Sequence, residues 1–123
     1  IATDVCVPIS KLAQIVHETQ HDIENSSIAG PIIGHVGDGN FHSTLMIRNE
    51  SEQDLEIANE LSHRMNERAL RLGGTVSGEH GVGIGKIKYM EEEHGEGWDI
   101  MSSIKTALDP KCILNPGKLL RQN

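Results

Sequence analysis

The sequence predicts an α+β fold, because short strand-like runs alternate with two long segments of helical periodicity in the order β-α-β-β-α-β. The predicted strands are Thr3 to Val7, Pro31 to Val36, Phe41 to Ile47 and Thr75 to Ser77. This order is the split arrangement of ferredoxin-like folds, in which an antiparallel sheet carries helices on one face. C-terminal helices and an irregular tail are predicted to follow it.

The first helix is predicted to begin after Pro8, with Ser10 as its N-cap and Asn25 at its polar exit. Its apolar stripe at a period of 3.6 residues consists of Leu12, Ile15, Val16, Thr19 and Ile23. Pro31 to Val36 and Phe41 to Ile47 are joined by a short Gly- and Asp-containing loop, which is typical of a β-hairpin.

The second helix is predicted to be capped by Ser51, since Asp54 stands three residues later in an acidic variant of the capping box. Gly73 and Gly74 end it. Its stripe consists of Leu55, Ala58, Leu61, Met65, Ala69 and Leu72.

Residues 78–123 are predicted to form an active-site loop, two helices and a tail, separate from a ferredoxin-like part at residues 1–77. The helices are expected at Lys86 to Glu93 and at Glu96 to Leu108. The inward residues of the second of these would be Trp98, Met101, Ile104 and Leu108. Asp109-Pro110 and Asn115-Pro116 interrupt regular structure in the tail.

Composition excludes several classes of partner. The net charge is -7 and Lys and Arg are scattered, which argues against binding to nucleic acid or to an anionic membrane surface. Cys6 and Cys112 are far apart and lack C-x-x-C spacing, so two ordinary thiols are expected. No apolar run approaches the length of a transmembrane segment. The chain begins IATDVCVP, and we expect it to be a C-terminal fragment of a longer protein.

The segment HETQH matches the helical zinc motif H-E-x-x-H of metalloproteases, with His17 and His21 as ligands and Glu18 as base. At about 100° per residue, however, both histidines lie on the side of the helix opposite Leu12. A solvated helix face is therefore favoured over a zinc site.

The segment GHVGDGNFH places His35 and His42 on either side of the hairpin loop. If Asp38-Gly39 is a two-residue type I′ turn, His35 pairs directly with His42 and both imidazoles share one face. Two such nitrogens could bind one divalent ion, although a longer loop would break this register. A polar hairpin tip with two incidental histidines remains an alternative.

The segment SGEHGVGIGK contains Glu79 beside His80. In an extended segment, adjacent side chains point to opposite sides, which predicts different roles for the two residues. Two histidines and one carboxylate form a common catalytic zinc set. A charged pair in a surface loop is the alternative.

Four segments in this order resemble the C-terminal part of FAD-linked D-lactate dehydrogenases, within the FAD-dependent D-2-hydroxyacid oxidoreductases of the vanillyl-alcohol-oxidase flavoprotein type. They are TDVCVPIS at Thr3, GHVGDGNFH at Gly34, SGEHGVGIGK at Ser77 and LDPKCILNPGKLL at Leu108. The resemblance implies that His35, His42 and Glu79 are metal ligands and that His80 is the catalytic base. It also implies that Asn115 lies near the flavin. Thr44 shares the face of His42 by strand alternation and is a predicted substrate-lining residue.

The resemblance further implies oxidation of D-lactate to pyruvate, with hydride transfer to FAD and with Zn²⁺ or Mn²⁺ orienting the substrate. The FAD-binding domain would lie upstream, so the fragment alone is expected to be inactive. The implied electron acceptor is cytochrome c, a quinone or an electron-transfer flavoprotein. Eukaryotic members would be mitochondrial, and bacterial ones cytoplasmic or membrane-associated. The competing hypotheses are a non-catalytic ferredoxin-like binding module and a zinc protease using His17, Glu18 and His21.

Overall fold

A computed structural model describes residues 1–120. It consists of helices and a small antiparallel sheet, which confirms the predicted α+β class. The chain divides into a unit from Ile1 to His80 and a second unit from Gly81 onward. Glu79 and His80 therefore belong to the same unit as the hairpin histidines.

The sheet of the first unit has three strands, β1 (Val5–Cys6), β2 (Ile32–His35) and β3 (Asn40–Ser43), in the antiparallel order β1-β3-β2. Thr75 adds only an isolated antiparallel bridge to Cys6. The predicted fourth strand is thus not formed as a strand, because the chain leaves β1 after one bridged residue. The complete ferredoxin-like arrangement stays a prediction.

The hairpin register differs from the predicted one. His35 pairs with Asn40, and His42 pairs with Ile33. The predicted direct pairing of the two histidines is wrong, because Val36–Asp38 form a 3₁₀ turn and Gly39 closes it with φ of 75°. The loop is longer than the assumed two-residue turn. The displacement is two residues, and since side chains alternate with period two, both histidines stay on the same face.

Two helices cover the opposite face of the sheet. Helix α1 (Ile9–Glu24) begins directly after Pro8, so Ser10 lies inside the helix and is not its N-cap as predicted. Proline fixes φ near the helical value and carries no N–H, and the helix starts without a side-chain cap. The predicted stripe of α1 is confirmed, with Val16 partly buried and the others buried: Leu12, Ile15, Thr19 and Ile23.

Helix α2 (Glu52–Arg71) has the predicted cap, with the Asp54 backbone N–H donating to Ser51 Oγ at 3.1 Å. Hydrogen bonds from Arg48 hold the pKa of the Asp54 carboxyl well below its ordinary value. In the predicted stripe, Leu55 is exposed and the other five residues are buried or half-buried. The main core combines both helices and the sheet: Val5, Val7, Leu12, Ile15, Phe41, Met65 and Ala69.

Ion pairs also join α1 to α2. Buried Arg68 places Nε 2.6 Å from Glu18 Oε2 and NH2 2.7 Å from Asp22 Oδ2. Arg64 reaches the other oxygen of Asp22 at 2.7 Å. Glu18 and Asp22 of α1 are therefore both paired with α2.

The second unit contains α3 (Met90–His94), preceded by a 3₁₀ turn at Ile87–Tyr89, and α4 (Glu96–Leu108) with the predicted bounds. Trp98 is buried, and its Nε1 donates to Leu119 O at 2.9 Å. Ile104 and Leu108 are exposed, so their predicted inward position is wrong. Helix α3 has only five residues and is too short to cover the length of α4. Within residues 1–120, no helix has both the length and the apolar character that a membrane crossing requires.

Candidate metal centre

His42 is the fixed member of the candidate site, because it lies on the central strand β3 and is only 8% exposed. Its Nδ1 lies 3.3 Å from Thr3 O and 3.4 Å from Asp4 Oδ1, which are both acceptors. A proton on Nδ1 can be donated to Thr3 O, with the Asp4 carboxylate beside it, which leaves the Nε2 lone pair free for a ligand. This Nε2 lies 3.0 Å from Glu79 Oε1.

His35 completes the cluster from the edge strand β2. Its Nε2 lies 3.3 Å from the same Glu79 oxygen, and its ring centre lies 5.8 Å from that of His42 with the planes at 85°. The side chains of His35 and Glu79 are 59% and 50% exposed. One side of the cluster is therefore held in the fold, and the other is open to solvent.

The donor set formed by His35, His42 and Glu79 suits a divalent ion. One ligand atom from each residue lies within 4.8 Å of the others. Ligands at 2.0–2.1 Å around a tetrahedral ion are about 3.3 Å apart, close to the observed distances of 3.0 and 3.3 Å. Two imidazoles and a carboxylate also leave a fourth position for water or substrate.

His80 approaches His42 from another direction. The two rings stack with centres 4.8 Å apart and planes 13° from parallel, whereas Glu79 meets the edge of the His42 ring. Asp4, His42 and His80 form a second group whose donor atoms lie within 4.8 Å of one another. Glu79 and His80 are thus near the same imidazole but contact different parts of it.

The sequence analysis missed Asp4. This carboxylate is 1% exposed and lies under the loop that carries Glu79 and His80. The signal was an acidic residue inside the otherwise apolar run predicted to form a strand, a position that favours burial with partners.

The cysteines do not join the cluster. Both are free thiols, as predicted. Cys6 donates to Asp38 O at 3.2 Å, and burial, followed by the charges of Asp38 and Asp4, raises the pKa of its thiol. A raised pKa keeps it protonated, so it is a poor zinc ligand.

Thr44 and Asn115, the other two predicted site residues, are both exposed. Thr44 follows β3, is exposed and forms an isolated bridge with Ala2. By alternation it shares the face of His42. Asn115 belongs to the second unit, where it is exposed and adopts a positive φ of 46°.

The helical segment HETQH has the predicted solvated character. His17 and His21 are exposed, and Asn25 Nδ2 lies 3.2 Å from the His21 ring nitrogens. Glu18 is paired with Arg68. Among the residues described, neither possible metal-binding group includes His17 or His21.

Comparison with known proteins identifies the family. Residues 1–119 match the family described as FAD linked oxidases, C-terminal domain. The chain belongs to this family. It is 48% identical over 120 residues to "D-lactate dehydrogenase [cytochrome] 1, mitochondrial" of Saccharomyces cerevisiae, covering 97% of this chain and 20% of that protein. It is 47% identical over 119 residues to "D-lactate dehydrogenase [cytochrome], mitochondrial" of Arabidopsis thaliana, covering 96% and 21%.

A third relative is "Probable D-lactate dehydrogenase, mitochondrial" of Danio rerio, with 44% identity over 120 residues, 97% of this chain and 24% of that protein. The chain thus spans about a fifth to a quarter of the length of these relatives. Family membership confirms the resemblance stated from the four sequence segments.

Proposed function

We propose that this chain is the substrate- and metal-binding C-terminal part of an FAD-dependent dehydrogenase that oxidises D-lactate, or a related D-2-hydroxyacid, to the 2-oxoacid. The observation that carries the proposal is the convergence of His35, His42 and Glu79, whose donor atoms lie within 4.8 Å of one another. The similarity to D-lactate dehydrogenases supports the substrate class.

In this proposal His35, His42 and Glu79 bind Zn²⁺ or Mn²⁺. Such an ion supplies positive charge that attracts the carboxylate and hydroxyl oxygens of a hydroxyacid and makes the hydroxyl more acidic. His42 presents Nε2 because Thr3 O and Asp4 occupy its Nδ1 side. The exposed side of the cluster, at His35 and Glu79, admits the substrate.

His80 is the proposed general base. It is exposed and lies beside the metal ligands through its stacking on His42, so it can approach a substrate bound there. Its imidazole accepts the hydroxyl proton while C2 loses a hydride, and the two electrons of the C–H bond leave with that hydride. FAD, bound mainly by the rest of the longer protein, supplies the hydride acceptor.

Two further contacts belong to this proposal. Thr44 carries a hydroxyl on the face of His42 and would line the substrate site beyond the metal ligands. Asn115 offers both an amide donor and a carbonyl acceptor at the surface of its unit, which suits the polar edge of a flavin ring.

The names of the relatives support the remaining parts of the proposal. Two carry the word cytochrome, and we propose a cytochrome-type electron acceptor over a quinone or an electron-transfer flavoprotein. Three are named mitochondrial, and we propose that location if the protein comes from a eukaryote.

The test separates metal binding from proton transfer in the full-length flavoenzyme. Glu79→Ala should lose the stoichiometric metal, while His80→Ala should keep metal and FAD but lose D-lactate turnover by at least 100-fold, the lower range for general base catalysis. Metal content, flavin absorbance and D-lactate-dependent flavin reduction are the measurements. Unchanged turnover in His80→Ala would refute the base assignment, and absence of stoichiometric metal in the parent would favour a non-catalytic binding module.

A further inference from the structure

Asp4 is a buried carboxylate that connects separate parts of the cluster. Its Oδ2 accepts hydrogen bonds from the backbone N–H of Glu79 at 2.9 Å and from that of His80 at 2.8 Å. Its Oδ1 accepts Asn40 Nδ2 at 2.8 Å and lies 3.4 Å from His42 Nδ1. One side chain thus contacts the loop with the carboxylate ligand and base, and the strand with the buried imidazole.

The packing around Asp4 leaves no room for a side chain at Gly78. A Cβ atom added to Gly78 would overlap Asn40 Nδ2 and stand 2.7 Å from Asp4 Oδ1. Asn40 is itself fixed, because its Nδ2 donates both to Asp4 and to Val5 O at 2.9 Å. The loop therefore contacts the sheet through backbone atoms at Gly78, Glu79 and His80.

We propose that Asp4 is a positioning residue, which fixes Glu79 and His80 through their backbone N–H groups and orients His42 through Nδ1. This inference rests on the proposed function. The geometry explains how two exposed residues of a glycine-rich loop keep a defined position. Charge-assisted hydrogen bonds from two successive N–H groups to one buried oxygen fix the backbone, and the side chains follow it.

The arrangement also sets the direction of the His42 lone pair. A carboxylate beside Nδ1 of a metal-binding histidine favours the tautomer with Nδ1 protonated, which leaves the Nε2 lone pair for the ion. Loss of such a partner typically weakens metal binding about 10- to 100-fold. Asp4 should therefore affect metal affinity without touching the ion.

The experiment uses Asp4→Asn in the full-length flavoenzyme, with Asp54→Asn as the matched control. Asp54 is an equally buried carboxylate that accepts bonds from Arg48 and from no member of the cluster. Mn²⁺ is titrated into chelator-treated protein and followed by electron paramagnetic resonance. We expect Asp4→Asn to weaken Mn²⁺ binding at least tenfold and Asp54→Asn to leave it unchanged.

A second measurement does not depend on metal or turnover. Amide hydrogen exchange in the metal-free protein should become at least tenfold faster at Glu79 and His80 in Asp4→Asn but not in Asp54→Asn. The melting temperature of both variants identifies loss of global stability. Faster exchange with weaker Mn²⁺ binding, at a melting temperature matching the control, supports the positioning role.

Three results would overturn it. Unchanged exchange at Glu79 and His80 would show that Asp4 does not fix the loop. Normal Mn²⁺ affinity in Asp4→Asn, with Glu79→Ala still losing the ion, would refute this inference and leave the proposed function intact. Loss of Mn²⁺ in Asp4→Asn and His80→Ala but not in His35→Ala would make Asp4 a direct ligand. A parent without stoichiometric metal would instead refute the proposed function, and the metal part of this inference with it.

Discussion

Two pairs of histidines in the first unit have opposite surroundings. His17 and His21 lie four residues apart on α1, match a known zinc motif, and are exposed. His35 and His42 lie seven residues apart around a loop, match no simple helical motif, and meet at Glu79. Helical spacing places two side chains near each other but supplies no third ligand. At the hairpin, a loop distant in sequence brings the Glu79 carboxylate to both imidazoles, which completes the proposed ligand set.

Removing one histidine from each pair should have the largest effect on metal binding. His42→Ala should abolish stoichiometric metal binding in the full-length protein, since the buried ligand cannot be replaced by solvent at the same position. His21→Ala should keep one ion per chain. Metal analysis after dialysis measures both. The opposite pattern would establish the helical motif as the metal site and favour the protease hypothesis.

The close packing of the Glu79 loop against Asn40 can be tested by substituting Gly78. Gly78→Ala should lower metal affinity at least tenfold, because the new methyl group would overlap Asn40 and displace the loop that carries Glu79. Gly83→Ala is the matched control, because a Cβ there meets nothing within 4 Å and its φ is not positive. The same Mn²⁺ titration measures both variants. Equal affinities would mean that the loop tolerates displacement without losing its ligand.

A smaller effect, on stability alone, is expected when the partner of Glu18 is removed. Glu18 would be the base in a protease, but in the structure it pairs with Arg68. Arg68→Ala should lower the free energy of unfolding by about 2 kcal/mol, because it removes the buried partner of Glu18 and Asp22. The loss is moderated because Glu18 is 37% exposed and Asp22 keeps its pair with Arg64. Metal affinity should not change. Denaturant unfolding measures the stability.

The control for Arg68 is Arg71→Ala in the last turn of the same helix. Arg71 is exposed, so its substitution should change stability by no more than about 0.5 kcal/mol. A loss of metal in Arg68→Ala at unchanged stability would assign Glu18 a chemical role and contradict the structural interpretation.

Periodicity predicted α1, α2 and α4 well because each carries a long apolar stripe. The helix predicted at Lys86 to Glu93 was wrong at its start, since α3 begins only at Met90, after a 3₁₀ turn. The bounds of α4 match, and the stripe of α1 is buried as expected. The predicted N-cap of α1 was wrong, since the helix begins directly after Pro8 without a side-chain hydrogen bond. The prediction that Ile104 and Leu108 point inward was wrong, since both are exposed. Helical periodicity identifies an apolar face, but it does not show how much of that face other residues cover.

The hairpin was predicted correctly in its faces but not in its register. The sequence predicted the shared face of His35 and His42 but not their register, since the turn contains a 3₁₀ segment that the two-residue assumption excluded. An error of two residues preserves the face, whereas an error of one would have separated the rings. Asp4 could not be assigned a role from sequence, because its partners at Glu79 and His80 lie 75 and 76 residues away.

The sheet order has a consequence for exchange of a bound ion. His42 lies on the interior strand, whereas His35 lies on the edge strand and Glu79 on a surface loop. In the proposed metal site, a chelator should therefore reach the ion from the His35 side without separating any strands. Exchange rates should depend on rotations of two exposed side chains, and unfolding of the sheet is not required.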